Sequence, residues 1–598
     1  MRRAFGRAVA ALCEVFVRAR YHVTDRTDPT LAHTVQFVIA QHARMPDYLR
    51  APFMLATLTF NYASLLTSGK PFHRLSFESQ RRHIERARKL GPFCDLMRFY
   101  EGLSVFAFGD EKDSGVSASA PVAAPAVAPT KNRHDIVVIG SGPGGAITAC
   151  LLAEAGRDVL SLEAGANIPL GDKTEFSREE MEQRYRNGGI TAAFGRTKIS
   201  YVEGRCVGGG SEINAGLYHR TPDDILERWR QEFDLQAASP AEMLPHFEAC
   251  ERDVSVSPLP GPQPETSLKM QLGAERLGWK SFEVPRWYKY SAAGSAQKQS
   301  MSRTYIPRAL QAGCTLKSST TVLRLRRDGN GWNIECESNG ARETISCNTV
   351  FVCAGAIQSA ALLLRSGIGM NIGKSFRVHP TVKVIAEFPE AINTCDFGIT
   401  VHQVKEFSPR LGFGVSVSRA PYLSLAMLDH PAHQNIDERW HHMAIYYAMI
   451  TGGNGRIRTL PGFRDAVVSY ALDETDMRNL ADGAKKLSEL LFTAGAQTLY
   501  PSVAGSAPFR SMEDVRNFPG ILPAGRSNLM SVHLFSSCPM GENREKCATD
   551  SFGKVHGADN LYINDASLLC TAPGVNPQGS IMAFARRNAL HFLQAGKS

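Results

Sequence analysis

Thirteen cysteines, an odd number, run from Cys13 to Cys570 with no CxxC pair and no Cys/His metal spacing. That pattern excludes a disulfide framework and a structural zinc, and it fits reduced thiols in a cytoplasmic protein. Long apolar runs are also missing. The charge-free stretch 51–69 carries Pro52, Asn61 and several hydroxyl side chains. Its apolar part falls short of the ~20 residues a spanning helix needs. It reads as a buried helix, with peripheral membrane contact through residues 1–109 left open. No basic stripe interleaved with aromatics occurs, so nucleic acid is set aside, and the net charge of +9 reads as a solvated surface. The opening arginines are followed by no small-residue cleavage site, so the start reads as an amphipathic helix rather than an export signal. No GxSxG elbow follows a strand, which disfavours a Ser–His–Asp hydrolase.

What is present is an ordinary globular composition, 43% hydrophobic and 21% charged, over 598 residues. That is too long for one compact core. Residues 1–109 read as a helical module, with Phe5, Val9, Leu12 and Phe16 at helical spacing. Residues 110–133 include a Pro/Ala-rich run without large side chains and read as a linker. The remainder alternates strand-like and helix-like stretches, as an α/β protein does. Within it, 376–530 contains alternating patterns such as VKVIAEF and GFGVSVS, which predict an antiparallel sheet flooring a substrate site.

A short strand ending at Ile139 is followed by Gly140-Ser141-Gly142-Pro143-Gly144-Gly145 and a helix of small residues. The first glycine permits a tight turn, Gly142 lets backbone approach a pyrophosphate, and Gly145 lets helix and strand pack closely. The helix N-terminus offers free N–H groups to phosphate. A second strand ends at Glu163, placed to bond ribose hydroxyls. The unit predicts dinucleotide binding without choosing between NAD and FAD.

Downstream strings resemble the glucose–methanol–choline (GMC) oxidoreductases. Gly204-Arg-Cys-Val-Gly-Gly209-Gly210-Ser-Glu-Ile-Asn214 is similar to the family's flavin-lining Gly-rich segment. TVFVCAGAIQSAALLLRSGIG at 349–369 resembles its returning strand and helix, and Val322 matches the position meeting adenine. His533-Leu-Phe-Ser-Ser-Cys538-Pro-Met540-Gly541 is similar to the family's His-x-x-x-(Ser/Thr)-Cys-x-Met-Gly, followed by Asp565-Ala566 and Asn576-Pro577.

The resemblance implies a Rossmann-like FAD-binding domain over 134–375 with interspersed cap segments, a substrate domain over 376–530, and a C-terminal return over 531–598. It implies FAD as cofactor, no metal, and oxidation of a small-molecule alcohol, with oxygen or a quinone or cytochrome as electron acceptor. His533 would act as the base and Asn576 would hold the substrate oxygen. Gly140, Ser141, Gly142, Gly145, Glu163, Gly209, Gly210, Asn214, Val322, Asp565, Ala566 and Pro577 would line the cofactor. His379-Pro380 reads as structural support. The long-chain alcohol and cholesterol oxidase branch is the best match, and the aromatic and aliphatic content of 406–450 suits a hydrophobic or natural-product alcohol. A sugar or glycoside dehydrogenase and a non-redox FAD-containing lyase are the alternatives. Ser536-Ser537 before Cys538 and Glu212 in the Gly-rich string depart from the family pattern.

Overall fold

The computed structural model describes residues 1–25, 27–114, 131–168, 175–291, 296–394, 401–430 and 436–595. The N-terminal helices are α1 (Arg2–Tyr21), α2 (Pro29–Arg44), α3 (Asp47–Ala63), α4 (Phe77–Arg88) and α5 (Gly91–Ser114). In α1 the buried side chains Phe5, Ala8, Val9, Leu12 and Phe16 recur every three or four residues, so one face is apolar. Asp28 caps α2 by accepting from Thr30 N–H at 2.8 Å. Among the described residues no helix is long and apolar enough to cross a membrane.

The helix α5 runs into the stretch expected to be linker, because Asp110 is anchored there. Its carboxylate accepts from Arg178 N–H at 2.8 Å and lies 3.2 Å from Arg419, both charged side chains being buried. The Pro/Ala-rich residues 115–130 lie outside the described residues.

The nucleotide fold is built from β1 (Arg133–Ile139), α6 (Pro143–Glu154), β2 (Val159–Leu162), β3 (Thr315–Lys317), β4 (Thr320–Asp328), β5 (Gly331–Ser338) and β6 (Ala341–Val352). Its seven-stranded sheet runs β4-β5-β6-β1-β2-β3, with a late strand at Leu561–Ile563 also pairing β6. The pairs β6–β1, β1–β2 and β2–β3 are parallel. Ile136, Val137 and Val138 are buried on both faces, as a strand covered by helices on each side requires.

A nine-stranded second sheet carries β7 (Thr381–Glu387), β8 (His402–Val404), β9 (Leu411–Val415) and β10 (Met443–Ile450). These four pair antiparallel in the spatial order β7-β10-β9-β8. The sheet also recruits Thr191–Ala193, Ile199–Tyr201 and Ser281–Glu283 from the upstream half, and its Ile199–Tyr201 pairing with Leu529–Ser531 is parallel. The capped helix α8 (Glu474–Thr493) covers one face, where Gly483 meets Ala448 and Leu411. Short helix α7 (Ala420–Ala426) packs against α5, bringing the N-terminal helices against this part of the molecule.

The second face is set by strand alternation. Register aligns Lys383 with Tyr447, Tyr447 with Gly414, and Gly414 with Gln403, so these four share one row across β7-β10-β9-β8. Their neighbours Val382, Val384, Ala448, Phe413 and Val404 point the opposite way into the core. Much of the apolar content of 406–450 that suggested a hydrophobic substrate therefore packs the interior: Leu411, Phe413, Val415, Ala444, Tyr446 and Ile450 are all core residues.

Candidate active site

The loop after β1 is a cradle that only glycine can line. Gly140 has φ +104°, and a Cβ there would meet Cys353 O at 2.3 Å. At Gly145 it would meet Gly140 O at 1.9 Å, and at Gly144 it would meet Asn564 O at 2.0 Å. These contacts seat α6 against β1, β6 and the late strand. Gly142 differs, since its Cβ would approach only Gly209 Cα at 3.9 Å. It is the N-cap residue of α6 and supplies no side-chain cap, leaving the first-turn N–H groups free to meet phosphate.

The carboxylate of Glu163 closes this cradle from the second strand. It accepts from Ser141 N–H at 3.0 Å, Ser141 Oγ–H at 2.8 Å and Gly165 N–H at 2.7 Å. A carboxylate offers about four lone-pair sites, so one remains for a ribose hydroxyl. Ser141 Oγ also accepts from Gly208 N–H at 3.1 Å, which ties the phosphate loop to the second Gly-rich string. There Gly209 has φ +56° and its Cα lies against Gly142. Gly210 starts a short helical turn, and Asn214 donates to Gln578 Oε1 at 2.7 Å. Val322 stands at a β-bulge just beyond Thr320, whose N–H donates to Glu163 O at 2.8 Å. These groups are linked in one run of contacts, Thr320 to Glu163, Glu163 to Ser141, and Ser141 and Gly142 to the second Gly-rich string, with the free N–H groups and open carboxylate that a dinucleotide requires.

The departure at Glu212 has a local explanation. Its buried carboxylate accepts from Ser300 Oγ–H at 3.0 Å and Ser302 N–H at 3.3 Å, joining the Gly-rich turn to the following segment. Asp565 likewise turns inward, accepting from Gly355 N–H at 2.8 Å, Ser359 Oγ–H at 2.5 Å and Ser567 N–H at 2.8 Å. It holds the loop after β6. Ala566 O accepts from Ser536 N–H at 3.1 Å, so the His533 string runs alongside 565–568. Pro577 opens the last helix, with Ile581 N–H donating to its carbonyl at 2.9 Å.

His533 and Asn576 meet where the His533 string and the start of the last helix come together. Asn576 Nδ2 lies 3.2 Å from His533 Nε2, and Gln403 Nε2–H donates to Asn576 Oδ1 at 3.1 Å. His379, read from the sequence as structural support, touches His533 directly: the two Nδ1 atoms are 2.9 Å apart. Gly574 N–H donates to His379 Nε2 at 3.1 Å. A backbone donor cannot turn round, so neutral His379 carries its proton on Nδ1 and donates it to His533. That tautomer puts the His533 proton on Nε2, opposite the Asn576 Nδ2 donor, so the two N–H groups do not bond each other and are both available to one oxygen acceptor.

Burial, with Lys405 second, pushes His533 down to about 3. Burial likewise holds His379 and His219 well below 6.5. All three are neutral near pH 7. The sequence reading missed Gln403, Lys405, Tyr447 and His219 as neighbours of this pair. Gln403 and Lys405 carried a signal in their i, i+2 spacing within VHQVKEF. His219 carried none, because it reaches the site only through the chain's return.

The arrangement is a parallel-sheet nucleotide-type fold that also brings a histidine–asparagine pair together from the C-terminal part of the chain. The GMC oxidoreductase family matches this chain in its N-terminal part over residues 181–381 and in its C-terminal part over 455–585. A GMC-type oxidoreductase of Sinorhizobium fredii is 36% identical over 474 residues, covering 76% of this chain and 94% of its own. A second, from Mycobacterium tuberculosis, is 28% identical over 93% of each chain, which extends the likeness into the N-terminal helices. A long-chain-alcohol oxidase of Arabidopsis thaliana is 25% identical, covering 76% of this chain and 67% of that protein. In fold, the chain is similar to pyridoxine 4-oxidase from Mesorbium loti, with TM-score 0.61 and 18% identity over 77% of this chain and 99% of that one. The chain belongs to the GMC oxidoreductase family. It is an FAD-dependent oxidoreductase acting on alcohols.

Proposed function

We propose that this enzyme oxidises a CH–OH group to the carbonyl, with His533 handling the hydroxyl proton and Asn576 holding the carbinol oxygen. Bound FAD supplies the two-electron acceptor for the carbinol hydride. The oxidised carbon loses that hydride and the oxygen loses a proton, so the protein has one proton to place. The observation that carries the reading is the His533–Asn576 contact at 3.2 Å, with two nitrogen-bearing side chains converging where a carbinol oxygen can bridge them.

The resting tautomer sets a condition on base action. With its proton on Nε2, His533 donates to the carbinol oxygen. To accept the hydroxyl proton there it must hold its proton on Nδ1 instead, directed at His379. His379 then carries a proton on Nε2 and loses Gly574 N–H, a cost of about 1 kcal/mol. His379 thus governs how readily His533 reaches the accepting form.

The test is an anaerobic titration of the purified holoenzyme with fatty, aryl, sterol, sugar and hydroxy-acid alcohols, read in the flavin absorbance. Bleaching by one class, lost in His533→Ala with flavin retained, is the expected result. Retention of flavin with no bleaching by any alcohol would overturn the redox reading and favour a lyase.

A further inference from the structure

The substrate-facing side of the second sheet is rich in cationic and hydrogen-bonding groups. Lys383, Tyr447 and Gln403 share the row described above, and Lys405 follows Gln403 by two residues on the same face. Glycines at 412 and 414 keep this face open. A Cβ at Gly414 would meet the Tyr447 hydroxyl at 2.4 Å, and one at Gly412 would come within 3.5 Å of Lys405 Nζ. Tyr447 thereby lies over β9 toward Gln403, whose Nε2 is 3.4 Å from its hydroxyl. Gln403 reaches on to Asn576, which connects the row to His533.

Two features of this surface bear on what it binds. First, neither Lys383 nor Lys405 pairs with a carboxylate among the described residues; the one contact of Lys405 Nζ is Gly574 O at 3.0 Å. Burial lowers both lysines to about 8, so each still holds its proton at neutral pH. Second, Gln403 and His219 are buried side by side, 2% and 8% exposed, and the Gln403 side chain hydrogen-bonds the His219 ring next to Lys405.

Building on the alcohol-oxidation reading, we infer that the substrate is an alcohol carrying a carboxylate or comparable anionic oxygen group, bound by Lys405, with Lys383 farther along the same face adding to the positive field. The anion supplies the counter-charge both lysines lack. A purely apolar alcohol would leave the buried Lys405 ammonium desolvated against hydrocarbon. The anchor also fixes which end of the molecule is oxidised, since Lys405 stands two residues beyond Gln403, which bonds Asn576.

The holoenzyme is titrated with hexanoate and, separately, with hexanamide, following the flavin difference spectrum. Neither is an alcohol, so binding is read without turnover. Hexanoate is expected to bind at least about tenfold tighter than hexanamide, a ratio that collapses in Lys405→Met and shrinks in Lys383→Met. In parallel, kcat/KM for 6-hydroxyhexanoate over that for hexan-1-ol is measured. The wild-type ratio is expected above about ten and the Lys405→Met ratio near one. Any general effect of the lysine on His533 cancels in that ratio. Equal binding of acid and amide, or an equal or inverted substrate ratio, overturns the inference and leaves alcohol oxidation standing. Tight, lysine-dependent hexanoate binding with no alcohol bleaching the flavin supports the anionic subsite and overturns the redox reading instead.

Discussion

His379 and His533 face each other through their Nδ1 atoms at 2.9 Å, with ring planes nearly perpendicular at 85°. The pair shares one proton on that line, and Gly574 N–H decides which ring owns it. His379 is therefore a positioning residue for His533. His379→Ala is expected to lower kcat by about ten- to a hundredfold with little change in KM, because proton handling loses its orienting partner. Steady-state kinetics on a bleaching alcohol checks this. An unchanged kcat in a flavin-replete variant would return His379 to a packing role.

Asn576 is held by Gln403 and aimed at His533. Asn576→Ala should cost about a hundredfold in kcat, the usual loss of one oriented group at a developing oxyanion. Gln403→Ala should cost less, since it acts through Asn576. Stopped-flow flavin reduction separates this from effects on product release.

The three glycines of the cradle make unequal demands. Gly144→Ala and Gly145→Ala drive a Cβ into backbone oxygens at 2.0 and 1.9 Å, so both should lower thermal stability and yield. Gly142→Ala meets nothing closer than 3.9 Å, and the expected outcome is a folded protein with weakened FAD affinity. Thermal melts together with flavin-to-protein ratios distinguish the two classes.

Acid should destabilise this protein through its buried histidines. His533 is held down to about 3, and His379 and His219 lie well below 6.5, while the unfolded rings titrate near ~6.5. Unfolding between those values takes up protons, so the stability they contribute is present above about pH 6.5 and falls as pH drops below it. Lys405→Met removes a cation that lowers the His533 pKa, so the acid limb of kcat/KM should move to higher pH. A limb that stays in place would show that the two groups are not coupled.

Asp110 and Arg419 form a buried pair between α5 and the segment leading into α7, each side chain being 5% exposed. Asp110→Ala leaves Arg419 buried without this partner and should cost about 3–5 kcal/mol. A lowered melting temperature is the readout. Because α7 packs beside the substrate face, substrate KM is expected to rise as well.

The phosphate loop was legible in the sequence because its geometry is local. Gly140 needs a positive φ, and Gly142 opens a helix directly after a strand, demands that a few consecutive residues express by themselves. The His533 string and Asn576-Pro577 were legible as motifs for the same reason. Strand alternation in VKVIAEF likewise announced a sheet, observed as β7. What contiguous sequence could not express is which faces meet. Lys383, Tyr447, Gly414 and Gln403 lie on four strands and become one row only through cross-strand register. His379 reaches His533 across 154 positions, and Gln403 reaches Asn576 across 173. The same alternation sent Leu411 and Phe413 inward and left Gly412 and Gly414 on the opposite face, beside Lys405 and Tyr447. Composition averages over both faces of a strand, so it suggested an apolar pocket, and pairing put a different set of side chains on the face that carries Gln403 and Tyr447.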